Sequence, residues 1–225
     1  MAITLAFDVY GTLIDTHGVV GKLTELLGEP AKAQTFSQIW RDKQLEYSFR
    51  RGLMQNYQTF AVITRDALNY TDQFHQTKLT DAQKADLLAV YRTLPAFEDV
   101  QQGLTELKDA GCRMYAFSNG TADAVEALLQ HAGIRHFFDD VVSVDELKTF
   151  KPNPGIYAHF LRRANARAND AWLISSNPFD VIGSISAGMR AAWIQRSPAA
   201  IFDPWEIQPT CTVSTLTELK NHIVR

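Results

Sequence analysis

The chain has 225 residues and 46% of them are hydrophobic, enough to bury the core of one domain with an insertion or of two small domains. Lys and Arg number 22 against 25 Asp and Glu, which gives a formal net charge of −3 with the basic residues scattered. This balance argues against a nucleic-acid-binding protein and against a polybasic membrane anchor.

Cysteine usage and hydropathy argue against a disulfide-rich protein and against a membrane protein. Cys112 and Cys211 lie far apart, so their spacing offers neither a disulfide framework nor a metal-binding pair, and we interpret both as small buried hydrophobic side chains. No apolar stretch approaches the roughly 20 residues of a membrane-spanning helix, and no signal peptide precedes the first apolar run. We therefore expect a cytoplasmic protein without a membrane partner.

Strand-like and helix-like patterns alternate over most of the chain. An apolar run over residues 3–8 predicts a short buried strand that delivers Asp8 to its end. From about residue 96, further strands are predicted at 114–117, 141–144, 172–174 and 191–194, with helices near 98–110, 121–132, 153–166 and 178–188. This alternation is typical of an α/β fold in which a Rossmann-like parallel sheet is connected by crossover helices.

Residues 16–93 depart from this pattern because they contain no convincing strand. Apolar residues recur there at helical spacing, as at Phe36, Ile39 and Trp40, and residues 80–83 (Thr-Asp-Ala-Gln) resemble a capping box. We predict an all-helical cap over 16–93, inserted into a core made of 1–15 and 94–225. Such a cap would exclude water from Asp8.

Four polar segments follow predicted strands, at 8–12, 118–120, 151–154 and 175–180. The carboxyl ends of parallel strands share one edge of a sheet, so we expect these segments to meet there. A carboxylate in that position is suited to act as a nucleophile and form a covalent ester, which makes Asp8 the candidate nucleophile.

In order and spacing, these segments resemble the motifs of the haloacid dehalogenase superfamily: Asp-x-x-Gly-Thr-Leu at 8–13, Ser-Asn at 118–119, Lys-Pro at 151–152 and a late loop that reaches Asp180. The common phosphatase pattern of that superfamily is Asp-x-Asp with a bound Mg²⁺. Here Tyr10 replaces the second acid, and Ser175-Ser176-Asn177 stands where a metal-binding Asp is expected. Mg²⁺ prefers carboxylate and water oxygens, so we expect neither a metal nor another cofactor.

One branch of the superfamily is matched more closely. Phe-Asp-x-Tyr-Gly-Thr-Leu at 7–13 and Trp-Arg-Asp-Lys-Gln-Leu-Glu-Tyr at 40–47 resemble stretches of the L-2-haloacid dehalogenases. That resemblance implies a homodimer that converts short-chain (S)-2-haloalkanoic acids to (R)-2-hydroxyalkanoic acids and halide. The partner is then a small halogenated carboxylate.

The resemblance also implies roles for the core residues. Asp8 attacks C2 of the substrate and expels halide, and water then hydrolyses the aspartyl ester. Lys151 keeps Asp8 ionised and helps to hold the substrate carboxylate, while Thr12 orients Asp8. Asp180 either positions the hydrolytic water, together with Ser175 and Asn177, or forms an ion pair with Lys151, and the two roles are compatible.

Further residues are expected to bind substrate and halide. Arg41 from the cap stabilises the departing halide, with Asn119 as an added amide donor. Ser118 binds the substrate carboxylate or the Asp8 side chain, or else bonds only within its own turn.

Tyr157 either hydrogen-bonds near Lys151 and Asp8 or packs its helix. The apolar wall around C2 is assigned to four side chains: Tyr10, Leu45, Phe60 and Phe179.

Two alternatives stay open at this point. The first is a phosphatase-like hydrolase of the same superfamily with a divergent substrate; Tyr10 and the late loop argue against it. The second is a catalytically silent binding protein on the same scaffold; the joint presence of Asp8, Arg41 and Lys151 argues against it.

Overall fold

The structure, a computed structural model, describes residues 3–224. Six parallel strands form one sheet in the order β3-β2-β1-β4-β5-β6. The strands are β1 (Thr4–Phe7), β2 (Arg113–Ser118), β3 (Asp140–Ser143), β4 (Ala171–Ser175), β5 (Arg190–Ile194) and β6 (Cys211–Val213). The predicted Rossmann-like parallel sheet is therefore confirmed, and each of the five predicted strands is present.

Strand β1 lies at the centre of the sheet between β2 and β4, and all four of its residues are buried. Phe7 pairs with Ala116 on one side and with Ile174 on the other. The connections on the two sides diverge at the carboxyl end of β1, which is where open α/β sheets form their ligand crevice. Asp8 is the next residue along the chain and so enters that crevice.

Nine helices of the α class lie within the described residues. They are α1 (Val19–Leu27), α2 (Pro30–Leu53), α3 (Phe60–His75), α4 (Asp81–Val90), α5 (Val100–Asp109), α6 (Ala122–His131), α7 (Pro154–Arg163), α8 (Pro178–Ser186) and α9 (Leu219–Ile223). Proline occupies the first helical position of α2, α7 and α8, where its missing N–H costs no hydrogen bond. The predicted capping box is present at Thr80, before α4.

Between β1 and α5 the described chain contains helices and loops but no further strand of the sheet. Helix α2 packs against both α1 and α3, and the indole N–H of Trp40 donates to the carbonyl of Thr64 at 2.8 Å. The chain leaves and re-enters the sheet side by side, because Asp15 N–H donates to Pro95 O at 2.8 Å and Phe97 N–H to Leu13 O at 3.0 Å. The boundaries of the cap at 16–93 and of the core at 1–15 and 94–225 stay a prediction.

Two smaller points complete the fold. Cys112 and Cys211 are free thiols and are half-buried, so the structure meets the expectation of small buried side chains only in part. Partial burial raises the pKa of both thiols. Within residues 3–224, no helix is long and apolar enough to cross a membrane.

Candidate active site

Asp8 occupies a tight loop at the end of β1. Gly11 has a φ of +80°, a conformation that favours glycine, and the carbonyl of Val9 accepts N–H groups from Leu13 and Ile14, both at 3.0 Å. The loop holds the Asp8 carboxylate almost entirely buried, with 7% of the residue exposed.

The two oxygens of the Asp8 carboxylate have different surroundings. Oδ2 accepts from Asn177 Nδ2 at 2.7 Å, from Thr12 Oγ1 at 2.9 Å and, at the longer distance of 3.4 Å, from Ser175 Oγ. Oδ1 accepts from Lys151 Nζ at 3.2 Å. Oδ1 is therefore the less encumbered oxygen, and the geometry brings the predicted residues Thr12, Ser175 and Asn177 together on Oδ2.

Lys151 is buried and its ammonium group is fully used. Nζ donates to Asp8 Oδ1, to Asp180 Oδ2 at 2.8 Å and to the carbonyl of Phe117 at 2.8 Å. An ammonium has three N–H donors, so none is left over. The geometry supports the predicted contact with Asp8 and does not support a direct contact between Lys151 and a substrate carboxylate.

Asp180 is completely buried, and its carboxylate shares the Lys151 ammonium with Asp8. Its Oδ2 accepts from Lys151, and its Oδ1 accepts the phenolic O–H of Tyr157 at 2.7 Å. Burial raises the pKa of Asp180, whereas the charge of Lys151 and the two hydrogen bonds favour the carboxylate. Both oxygens are occupied, so this arrangement favours the ion pair over contact with a hydrolytic water.

Tyr157 both packs in the core and forms a hydrogen bond close to Lys151, so the structure shows features of both alternatives left open for it. Its ring packs against Phe117 while its hydroxyl reaches Asp180. Burial and the nearby Asp180 charge raise the pKa of Tyr157 well above its ordinary value. The phenol therefore keeps its proton and acts as a donor.

Ser118 and Asn119 bond within the segments that follow β2. Ser118 Oγ accepts the N–H of Gly120 at 3.1 Å, and Asn119 Oδ1 accepts the backbone N–H of Lys151 at 3.0 Å. No hydrogen bond joins Ser118 to Asp8 in the part of the chain that the structure describes, so that half of the prediction for Ser118 is not supported. The Ser118 hydroxyl proton and the Asn119 amide N–H groups are available to a ligand.

Arg41 approaches the site from α2. Its Nη1 donates to Gln44 Oε1 at 2.6 Å, and its Nη2 lies 3.5 Å from the carbonyl oxygen of Tyr10. No carboxylate within residues 3–224 forms an ion pair with this half-buried guanidinium. Arg41 lines a cavity of about 660 Å³ together with Ser176 and Asn177. A half-buried cation that faces a cavity without a counterion can receive an anion.

The structure brings together part of the predicted apolar wall. The rings of Tyr10 and Phe60 lie 5.8 Å apart, and both residues line a second cavity of about 620 Å³. Burial raises the pKa of Tyr10 to about 12, so its phenol is neutral. Phe179 packs edge-on against Phe49 at 5.0 Å. Leu45 is half-buried on α2 and lines neither cavity.

Two residues that the sequence analysis did not assign support the loop at Asp8. Ser176 N–H donates to Thr12 Oγ1 at 2.9 Å, and Ser176 Oγ donates to Gly11 O at 2.7 Å. Arg196 donates to Thr12 O from Nη2 at 2.7 Å and from Nε at 3.2 Å. Ser176 lies within a recognised motif, whereas no sequence signal marks Arg196.

The groups around Asp8 do not suit the magnesium ion that many members of the superfamily bind. An ammonium, an amide N–H and a hydroxyl proton point at its oxygens, whereas Mg²⁺ needs oxygen ligands at about 2.0–2.1 Å. Across the described chain, no group of three or more His, Cys, Asp or Glu side chains is placed to hold a metal. The residues therefore do not fit Mg²⁺.

Comparisons with known proteins identify the family. A family model described as haloacid dehalogenase-like hydrolase matches residues 4–188. The (S)-2-haloacid dehalogenase of Pseudomonas sp. (strain YL) is 34% identical over 212 residues, which cover 94% of this chain and 90% of the relative. The haloacetate dehalogenase H-2 of Moraxella sp. (strain B) is 32% identical, over 94% and 93% of the two chains.

A solved structure gives the same result for the fold. The L-2-haloacid dehalogenase of Xanthobacter autotrophicus with chloropropionic acid covalently bound superposes with a TM-score of 0.87 at 30% identity, covering 98% of each chain.

Proposed function

This chain belongs to the haloacid dehalogenase-like hydrolases, as its motifs predicted, and from that premise we propose that it hydrolyses the carbon–halide bond of short-chain (S)-2-haloalkanoic acids. The products are the (R)-2-hydroxyalkanoic acid and halide. One observation carries the proposal: the buried Asp8 carboxylate, paired with Lys151, lies in the loop whose Tyr10 carbonyl is 3.5 Å from Arg41, an arginine with no ion-pair partner within residues 3–224.

In the first step, Asp8 is the nucleophile. Its Oδ1, which has one hydrogen bond against three on Oδ2, attacks C2 from the side opposite the halogen. The new C2–O bond forms as the carbon–halogen bond breaks, and the halogen leaves with the bonding electron pair. Configuration at C2 inverts, which converts an S substrate into an R product.

Charge on the leaving halide is met by the cap and by the loop after β2. Arg41 has no counterion within residues 3–224, and the Asn119 amide N–H groups are available on the same edge of the sheet. Donors already in place stabilise developing charge without reorganisation. The substrate carboxylate is bound by the Ser118 hydroxyl proton, and Tyr10 and Phe60, whose rings lie 5.8 Å apart, provide apolar surface around C2. The assignment of Leu45 and Phe179 to the same surface rests on the resemblance alone.

In the second step, water attacks the carboxyl carbon of the ester. The oxyanion that develops on Oδ2 is held by Asn177, Thr12 and Ser175, which already donate to that oxygen. Cleavage of the bond between the carboxyl carbon and Oδ1 releases the product alkoxide beside Lys151.

Protons balance through Lys151 in this second step. The ammonium, whose Nζ lies 3.2 Å from Oδ1, protonates the alkoxide, and a proton of the attacking water restores the ammonium. The remaining carboxyl proton of Asp8 leaves with halide as acid. Asp180 holds Lys151 in position through the hydrogen bond from Nζ to Oδ2, and both proposed steps use only protein groups and water.

The resemblance supports three further proposals of a coarser kind. They are the division into a core at 1–15 and 94–225 with a cap at 16–93, assembly as a homodimer, and location in the cytoplasm.

The first experiment measures halide release from the separate enantiomers of 2-chloropropionate in the presence of EDTA. We expect chloride from the S enantiomer alone and an unchanged rate with EDTA. p-Nitrophenyl phosphate with Mg²⁺ is tested in parallel. Phosphate ester cleavage without chloride release would establish the phosphatase-like alternative, and activity on neither substrate would favour a silent binding protein.

Replacing the nucleophile tests the covalent mechanism directly. We expect Asp8→Asn to lower halide release by at least about 10³-fold while the protein stays folded. A single turnover of the wild type in ¹⁸O-labelled water should place the label in the Asp8 carboxylate, measured by mass spectrometry of the peptide. Label found first in the hydroxy acid would mean that water attacks C2 directly.

A further inference from the structure

Gln44 links Arg41 to the neighbouring helix. It lies three residues after Arg41 on α2, which places the two side chains on adjacent positions of one helix face, and it is completely buried. Its Oε1 accepts from Arg41 Nη1 at 2.6 Å, and its Nε2 donates to Thr64 Oγ1 at 2.6 Å. Both ends of the amide are thus engaged.

The orientation of this amide is fixed by Thr64. The Thr64 hydroxyl donates its one proton to the carbonyl of Phe60 at 2.7 Å, so toward Gln44 it acts as an acceptor. Gln44 must therefore present its N–H to Thr64 and its oxygen to Arg41. A directional chain of three hydrogen bonds runs from the backbone of α3 to the guanidinium.

Gln44 is the short contact that sets the direction of Arg41. The other contact of the guanidinium, to Tyr10 O, is 3.5 Å long and correspondingly weak. The Gln44 acceptor is also uncharged, so it orients the guanidinium and leaves its positive charge uncompensated. A carboxylate in the same place would orient Arg41 and compete with an incoming anion.

We propose that Gln44 is a positioning residue that aligns Arg41 on the departing halide and thereby sets the leaving-group range of the enzyme. This inference rests on the proposed function. Chloride is a poorer leaving group than bromide, so its departure depends more on a cation held in place. Misalignment of Arg41 should therefore slow chloride expulsion more than bromide expulsion.

The test compares Gln44→Met with the wild type on (S)-2-chloropropionate and (S)-2-bromopropionate. The halide burst of a single turnover is measured, so that ester hydrolysis does not mask the first step. We expect the chloride burst to slow by at least about tenfold and the bromide burst by less than about threefold, as lost alignment of one charged donor predicts.

A second pair of variants removes the anchor without touching Gln44. Thr64→Val deletes the hydroxyl and should change the chloride-to-bromide ratio in the same direction, whereas Thr64→Ser keeps the hydroxyl and should retain the wild-type ratio. Gln102→Met is the matched control, because Gln102 is an exposed glutamine on α5 that donates to Glu106 at 2.9 Å.

The outcomes separate the two hypotheses. Equal slowing on both substrates, or no slowing, would overturn the role of Gln44. If Gln44→Met does not fold, Thr64→Val against Thr64→Ser decides the question by the same ratio. A wild type that releases neither halide would instead refute the proposed function.

Discussion

The two sides of the site differ in how their charges are compensated. On the sheet side, the ammonium of Lys151 lies between the carboxylates of Asp8 and Asp180, and both carboxylates accept further hydrogen bonds. On the helical side, Arg41 has no carboxylate partner among the described residues and is held by the neutral amide of Gln44. The sheet side fixes a nucleophile in place, whereas the helical side leaves a cation open for an anion.

Burial explains the difference. Charges removed from water are costly unless they are paired and hydrogen-bonded, and Lys151 and Asp180 are almost completely buried. Arg41 is half-buried beside a cavity, so water can solvate it before the halide arrives. The paired charges on the sheet side hold the Asp8 carboxylate in place. The unpaired charge of Arg41 on the helical side can stabilise the departing halide.

Lys151→Met breaks the compensated side and should have the largest effect. It leaves Asp8 and Asp180 buried without a cation, so we expect a loss of about 3–5 kcal/mol of unfolding free energy and no measurable halide release. Urea unfolding and a halide assay measure the two effects.

A double variant distinguishes charge from packing. Lys151→Met with Asp180→Asn carries one buried carboxylate instead of two, so it should regain part of the stability lost in Lys151→Met while staying inactive. If the double variant is no more stable than the single one, the two carboxylates do not repel each other through this site.

Arg196 supports the loop at Asp8 through hydrogen bonds to the carbonyl of Thr12. Its Nη1 forms two bonds with Asp99, at 2.7 and 2.8 Å, while Nη2 and Nε donate to Thr12 O. We expect Arg196→Met to lower kcat about tenfold with little change in KM, because Thr12 then orients Asp8 less firmly. The kcat of Arg196→Lys should lie between those of Arg196→Met and the wild type, since a lysine keeps a donor to Thr12 O and lacks the planar guanidinium.

The control for Arg196 is an arginine of similar chemistry away from the site. Arg163 on α7 pairs with Asp140 and Glu146 at the surface, so Arg163→Met should leave kcat unchanged. Should both arginine variants reduce kcat alike, the effect of Arg196 would be general and not a matter of positioning Asp8.

The sequence predicted the elements whose signals are local. Strands β1 to β5 are four to six residues long and each contains buried apolar residues, and Pro154, Pro178 and the Thr80 capping box mark helix starts. The segments that meet at Asp8 follow from the parallel order of the strands. Strand β6 was missed because it has three residues, one of them buried, and carries no apolar run.

Contacts between residues that lie far apart in the sequence could not be predicted in the same way. Arg196 lies 184 positions from Thr12, and nothing in its neighbourhood indicates that it bonds to that carbonyl. The number of acceptors around Lys151 was likewise invisible, since one of them is the backbone oxygen of Phe117. Side-chain motifs indicate which groups meet, whereas backbone acceptors decide which donors remain free.

Tyr157→Phe should have the smallest effect on the reaction rate. It tests the compensated side at Asp180, which is completely buried. The Tyr157 hydroxyl donates to Asp180 Oδ1 and so favours the ionised carboxylate, which opposes the rise in pKa that burial causes. Without that donor the pKa of Asp180 rises further, so Asp180 takes up a proton at a higher pH as the solution is acidified.

A protonated Asp180 no longer compensates Lys151, and for this reason the acid side of the pH–rate profile should move to higher pH in Tyr157→Phe, with less than about a tenfold change at neutral pH. Tyr57→Phe is the matched control, because Tyr57 also donates to a carboxylate, that of Asp145, outside the site. A profile that coincides with the wild type in Tyr157→Phe would show that Asp180 stays ionised through Lys151 alone, and that the compensated side needs no phenolic donor.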